Sequence, residues 1–205
     1  EGNGAMRLID CEQGSEEWLK ARLGVPSASN FSKVLTIKGT ASTQAKAYVD
    51  ALVAETITGE STYVKVTDAM QRGTELEPYA RDRYILETGN QVQEVGFCLH
   101  DDYQAGASPD GLVGDDGGLE IKSPLGGTMV SYLRGGRLPS KYFQQVQGCM
   151  YITGRKWWDF MAYHPDMKPL IVRVDRDEHF ISCLDETLRK VVDEIERLVN
   201  KYSEE

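Results

Sequence analysis

Asp110 in Ser108-Pro109-Asp110-Gly111 is followed by Glu120 and Lys122 in Leu119-Glu120-Ile121-Lys122. Two carboxylates and a lysine in this order suit metal-assisted hydrolysis of a phosphodiester. Asp110 and Glu120 offer the hard oxygens that Mg²⁺ prefers, leaving coordination positions for water and phosphate, and the backbone carbonyl of Ile121 is a candidate third ligand. A bound metal acidifies water and neutralises charge developing on phosphate, and a second ion would stabilise the leaving oxygen. Lys122 either orients or deprotonates the water, or stabilises the charge of the transition state. Taken alone the pattern is short and arises by chance in ordinary surface hairpins.

The element that must position these groups is a hairpin. Gly114-Asp115-Asp116-Gly117-Gly118 is a turn signal, with glycine available where positive φ is needed. A three-residue loop of Asp115, Asp116 and Gly117 pairs Gly114 with Gly118 and sets Asp110 opposite Lys122. Asp110, Glu120 and Lys122 then share one face, with Leu119 and Ile121 on the other. A four-residue loop sends Asp110 to the wrong face unless Pro109 bends the strand.

Further residues offer support. Glu77 lies on a helix before the hairpin and either approaches the metal site or is a solvated helix carboxylate. Gln145 and Gln147, on a later helix, are candidates for positioning water or phosphate, and Tyr142 lies about one turn before Gln145. Arg22, Ser27 and Ser29 crowd a turn between two short helices, which suits either a terminal phosphate or plain N-capping by Ser27. His100, His164 and His179 stand apart, and there is no Walker A loop and no G-x-G-x-x-G.

The 205 residues fit one domain, read over 6–205; residues 1–5, ahead of Met6, read as a cloning scar. No stretch approaches the roughly 18–20 apolar residues that a membrane helix needs, and no signal peptide precedes Met6, so a cytoplasmic protein is expected. Cys11, Cys98, Cys149 and Cys183 lack C-x-x-C spacing and read as buried free thiols. The net charge of −9 argues against a polyanionic partner, but its distribution does not. Residues 18–49 hold Lys20, Arg22, Lys33, Lys38 and Lys46 with no acid. Residues 121–158 hold Lys122, Arg134, Arg137, Lys141, Arg155 and Lys156, again with none. Such segregation suits one basic surface for a phosphate backbone.

Apolar spacing predicts helices over 16–23, 26–35, 43–57 and 67–88, the last broken or kinked at Gly73 and Pro78. Strands are expected at 91–99, 105–113 and 118–122. A helix follows at 139–152, then strands at 156–163 and 170–174, and a closing helix at 185–202. Helices followed by strands, with helices again between and after them, indicate an α/β or mixed α+β sandwich around one central sheet.

The chain also resembles the phage lambda exonuclease (alkaline exonuclease) group of PD-(D/E)XK nucleases, over most of its length and in order. The resemblance rests on Glu17-Trp18-Leu19-Lys20-Ala21-Arg22-Leu23-Gly24, Ser27-Ala28-Ser29, Gly73-Thr74-Glu75-Leu76-Glu77, Ser108-Pro109-Asp110-Gly111-Leu112, Leu119-Glu120-Ile121-Lys122-Ser123-Pro124, Gln145-Val146-Gln147, the spaced residues Tyr163, Pro165 and Met167, and Arg176-Asp177-Glu178. It implies a restriction-endonuclease-like fold, a central mixed sheet flanked by helices, and a Mg²⁺-dependent 5′→3′ exonuclease on double-stranded DNA ends. Mononucleotides would be released and a 3′ single strand left, with two ions per site and Mn²⁺ able to substitute. A homotrimeric ring around DNA and a single-strand annealing recombinase as partner, in the cytoplasm of a phage-infected or lysogenic bacterium, are implied as well. By the same carry-over Asp110 and Glu120 bind metal, Lys122 is catalytic, Glu77 and Gln145 support the site, and Arg22, Ser29 and Ser108 hold the 5′-phosphate. The resemblance also implies a further arginine shortly after the catalytic lysine, where this chain has Gly126, Gly127 and Thr128; Arg134 or Arg137 is the candidate replacement, or else preference for a 5′-phosphate is weaker.

Three rivals exist. A four-cysteine iron–sulfur nuclease needs clustered cysteines near the C-terminus, where only Cys183 lies. An endonuclease of the same fold would cut circular DNA. A non-catalytic DNA-end-binding or assembly subunit should have lost the acidic pair, which is intact here.

Overall fold

The computed structural model describes residues 6–61 and 67–204; residues 1–5 lie outside the described residues. The order is β1 (Arg7–Ile9), α1 (Glu16–Arg22), a 3₁₀ turn (Ala28–Lys33), α2 (Ala45–Thr58) and α3 (Asp68–Thr88). Five strands follow: β2 (Val92–Gln93), β3 (Phe97–Leu99), β4 (Gly106–Ala107), β5 (Gly111–Val113) and β6 (Gly117–Lys122). The chain then makes α4 (Gly126–Gly135), a 3₁₀ turn (Ser140–Tyr142), α5 (Phe143–Thr153), β7 (Trp157–Ala162), β8 (Leu170–Asp175) and α6 (Glu178–Tyr202).

The architecture is mixed α/β, but the strands form two sheets rather than one. A small sheet has the order β1-β3-β4, and a five-stranded sheet runs β2-β5-β6-β7-β8. Within the larger sheet only β6 and β7 are parallel. Their connection carries α4 and α5, as a parallel crossover requires. The segments expected as single strands over 91–99 and 105–113 each divide between the two sheets. At the first break, a Cβ on Gly96 would lie 2.4 Å from the Cys11 carbonyl, so the chain bends where only glycine fits. At the second, Ser108-Pro109-Asp110 interrupts the ladder, since proline has no N–H to donate.

The expected break in α3 is absent. Thr67 caps the helix by accepting from Met70 N, and the helix runs unbroken through Pro78 to Gly89. Proline removes one hydrogen bond, and burial of Ala80 and Tyr84 against Val113, Leu119 and Ile121 holds the second half to the sheet. The opposite face of the sheet carries Leu112 and Trp158 into the main core, with α2, α5 and α6. Helix α4 was not expected, because two glycines open it; Met129 is fully buried and packs with Tyr132 and Leu133 on Phe160. Helix α6 begins seven residues earlier than expected, where Asp177 caps Phe180 N.

Candidate active site

The hairpin has a three-residue loop, shifted one residue from the expected position. Val113 pairs with Gly117 and Gly111 with Leu119, so the loop is Gly114, Asp115 and Asp116. Gly114 takes the positive φ of +53°. Gly117 is needed in the strand instead, because a Cβ there would meet the Trp157 ring at 2.1 Å. The shift moves the pairing by two and leaves every side chain on its expected face. Asp110, Glu120 and Lys122 therefore face one side, and Leu119 and Ile121 pack on α3.

These three residues line a cleft of about 660 Å³ that also takes in Trp18, Arg22, Ser29, Glu77, Ser108 and Gln145. Glu120 is buried, and one of its oxygens, Oε1, is held by Lys122 Nζ at 2.5 Å and by Gln145 Nε2 at 2.6 Å. Its other oxygen, Oε2, is buried without a hydrogen-bond partner. Asp110 accepts from Ile121 N at 2.6 Å. The N–H and C=O of one strand residue point to the same edge. The Ile121 carbonyl therefore faces the Asp110 side, past the last β5 pair. Glu77 approaches from α3 and is held by Arg81 at 2.6 Å, while Arg81 also reaches Glu94 at 2.9 Å.

The electrostatics are those of too many carboxylates for one ammonium. Burial, and then repulsion from Glu120 and Glu77, push Asp110 well above the ordinary carboxylate range. Burial also raises Glu77, with Glu94 and Glu120 adding to the shift against the opposing pull of Arg81. Burial works against the charge on Lys122, yet Glu120 and Asp110 outweigh it and hold the lysine firmly protonated.

A divalent cation fits this donor set. Among the described residues no three His, Cys, Asp or Glu side chains form a ready-made cage. The fit rests instead on the partnerless Glu120 oxygen and the unneutralised charge around Asp110. Asp110, Glu120 and the Ile121 carbonyl would hold the ion, with water completing its shell.

In the same cleft, Ser108 Oγ accepts from Arg22 and from Trp18 Nε1, each at 2.9 Å. The Arg22 guanidinium lies 4.1 Å over the Trp18 ring. Ser29 lines the same space, but Ser27 is buried beside it, its N–H donating to the Tyr48 hydroxyl. Ser27 does not cap the following turn with its side chain. Arg134 and Arg137 are exposed near the end of α4 and do not line the cleft, whereas Thr128 does. Gln147 is buried, ties Asp175 O to Asp177 N and does not line the cleft. The two basic windows meet only in part. Arg22 and Ser29 from the first face Lys122 and Lys141 from the second. Lys20, Lys46 and Lys156 are paired elsewhere with Glu16, Asp50 and Asp116. Sequence reasoning passed over Arg81 and Tyr132, and gave Trp18 and Lys141 no role of their own in the site; Arg81 was legible as the residue four after Glu77 on a helix.

Comparison with known proteins bears on the family and the fold. Residues 17–156 match the YqaJ-like viral recombinase domain. The crystal structure of an alkaline exonuclease, LHK-Exo, from Laribacter hongkongensis is 38% identical, with a TM-score of 0.82 over 91% of this chain and 95% of its own. The same enzyme in complex with dAMP matches equally well. A phage-related exonuclease from Haemophilus somnus 129PT, 14% identical with a TM-score of 0.66 over 87% of this chain and 96% of its own, shares the fold. No curated protein matches the sequence. With two thirds of its length matched and the carboxylate–lysine site in place on the shared fold, the chain belongs to the YqaJ-like viral recombinase family, in the lambda exonuclease group.

Proposed function

We propose that the protein is a Mg²⁺-dependent exonuclease that digests one strand of linear double-stranded DNA from its 5′ end. It would release mononucleotides and leave a 3′ single strand for recombination by annealing. The observation that carries this reading is the buried, partnerless oxygen of Glu120 beside Asp110 and Lys122, in one cleft with the Arg22–Ser108 pair. The relative bound to dAMP supports a product that is a single nucleotide carrying a phosphate.

In this mechanism Arg22, Ser29 and Ser108 receive the terminal 5′-phosphate, a guanidinium with hydroxyls being suited to phosphate oxygens. That contact sets the next phosphodiester over Glu120. Bound Mg²⁺, with Mn²⁺ as a substitute and two ions in the full site, would supply an acidified water and neutralise phosphate charge. Gln145 and Lys122 fix Glu120 Oε1, so Oε2 is the oxygen that would be left to hold the cation. Glu120 and Asp110 raise the Lys122 pKa in the metal-free site, and a bound cation would draw on those same carboxylates, so Lys122 either orients or deprotonates the water or stabilises the phosphate charge. Glu77, held by Arg81, presents a third carboxylate from the helix side.

A homotrimeric ring around the duplex, a strand-annealing recombinase as partner and a cytoplasmic phage setting complete the proposal. No described helix is long and apolar enough to cross a membrane.

The test is digestion of linear duplex DNA, 5′-phosphorylated at one end and labelled on either strand, with Mg²⁺ or EDTA, against Lys122→Ala. Mg²⁺-dependent mononucleotide release from the 5′ end, absent in the variant, is expected. Cleavage of circular duplex would indicate an endonuclease. Binding of ends without digestion in Mg²⁺ or Mn²⁺ would indicate a non-catalytic end binder.

A further inference from the structure

The β7 side of the cleft carries groups that the chemistry at Glu120 leaves unused. In the sheet, β5 lies on one flank of β6 and β7 on the other. Ser108 and Asp110 lead into β5, so the Arg22–Ser108 pair belongs to the first flank. On the second, Phe160 pairs in register with Glu120. Residues paired in register project to the same face, so Phe160 stands beside Glu120. Tyr142 stacks on Phe160 with ring centres 5.2 Å apart, and Tyr132 meets both rings edge-on at 6.5 Å.

Lys141 rests on this aromatic wall, its ammonium 4.9 Å from the Tyr142 centroid and 5.7 Å from that of Tyr132. Its immediate partners are the two phenols, which raise its pKa, and no carboxylate is among them. Aromatic faces hold an ammonium in place without neutralising it, so its charge stays available to an anion. The side chain is exposed and lines the cleft. The hydroxyl of Ser123, which also lines the cleft, is buried without a hydrogen-bond partner. Tyr142 is shared with the catalytic lysine, Lys122 Nζ lying 5.4 Å from its centroid. The shared ring keeps the two ammoniums within about 10 Å, a span that neighbouring phosphates of one strand, advancing about 3.4 Å each along a duplex axis, can bridge.

We infer that Lys141, seated on Tyr132 and Tyr142, grips the phosphate immediately 3′ of the scissile one on the strand being cut. The direction rests on the proposed function, in which the 5′-phosphate lies at Arg22 and Ser108. Gripped at both flanks, the strand is held taut across Glu120 and Lys122, and the duplex advances by one nucleotide between fixed points.

The experiment is equilibrium binding in EDTA of short 5′-phosphorylated duplexes, each with one neutral methylphosphonate at a successive linkage, to wild type and Lys141→Gln. Wild type should lose about tenfold in affinity when the linkage after the terminal phosphodiester is neutralised, as expected for a charge-assisted contact. Lys141→Gln should be indifferent to that linkage and as sensitive as wild type to the others. Its slope of log affinity against log salt should also fall by about 0.9. Equal sensitivity of wild type and Lys141→Gln at every linkage overturns the inference, as does a Lys141-dependent effect on the 3′-ended strand only. A Lys141-dependent contact at the expected linkage, with no digestion of duplex in Mg²⁺, would sustain this inference and count against the exonuclease function alone.

Discussion

Gln145 and Lys122 hold the same oxygen of Glu120, at 2.6 and 2.5 Å, and leave the other with no protein partner. A carboxylate tethered through one oxygen has its second aimed by the tether, which is how neighbours orient a metal ligand. Gln145→Leu keeps roughly the volume and removes the donor. It should lower kcat about 10–100-fold and raise the Mg²⁺ concentration for half-maximal rate, with KM for DNA little changed. An effect confined to KM would place Gln145 on the substrate instead.

Asp110 should destabilise the metal-free protein at neutral pH. Its carboxyl titrates well above the ordinary value of 3.8 when folded, through burial first and then Glu120 and Glu77. A raised folded pKa favours folding below the unfolded value, and that contribution is lost as pH rises through the folded one. In EDTA at pH 8, Asp110→Asn should therefore melt higher than wild type by about 2–4 °C, the shift that ~1 kcal/mol produces in a domain of this size. The gap should close below pH 4. Asparagine can still accept from Ile121 N, so the comparison isolates charge. Added Mg²⁺ should raise the melting temperature of wild type and leave the variant's unchanged; a lower melting temperature for the variant in EDTA would contradict the crowding argument.

The shared face of Asp110, Glu120 and Lys122 was legible in the sequence, and the hairpin explains why. Alternation fixes which residues share a face, and moving the loop by one residue preserves it. The loop's position was ambiguous because Gly114 and Gly117 both offer turn chemistry, and only contact with Trp157 decides between them. The division of two apparent strands between two sheets was hidden for a similar reason, since the bend at Gly96 answers to a distant carbonyl. Helix α4 defeats local propensity, for Gly126 and Gly127 are poor helix formers and burial of Met129 against Phe160 supplies the drive. Lys141 was legible only as one basic residue of the 121–158 window, because its aromatic seat joins α4 to the turn before α5.

Arg81 should set the acid limb of the pH–rate profile. It bridges Glu77 and Glu94 and opposes the upward shift of Glu77. Removing the guanidinium lets the Glu77 carboxyl rise further, so the ionised form appears only at higher pH. Arg81→Met should shift the acid limb toward alkaline pH and recover part of its rate there, while Arg81→Lys should shift it less. A uniform drop in rate at every pH would mean that the arginine only supports the fold.

Gly118 tests whether β6 tolerates a side chain at that position on the core face. A Cβ there would lie 2.2 Å from the Trp158 ring, which is fully buried in the main core and has no room to withdraw. Overpacking of this kind costs about 1–3 kcal/mol and rises when the neighbour is rigid. Gly118→Ala should therefore lower the melting temperature by several degrees, and Trp158→Phe in the same chain, by freeing ring volume, should recover part of the loss. Because Glu120 and Lys122 follow Gly118 on the same face, the strain would reach the site through β6 itself. Activity at low temperature should fall along with stability, and full activity in a destabilised Gly118→Ala protein would show that the strand absorbs the displacement before Glu120.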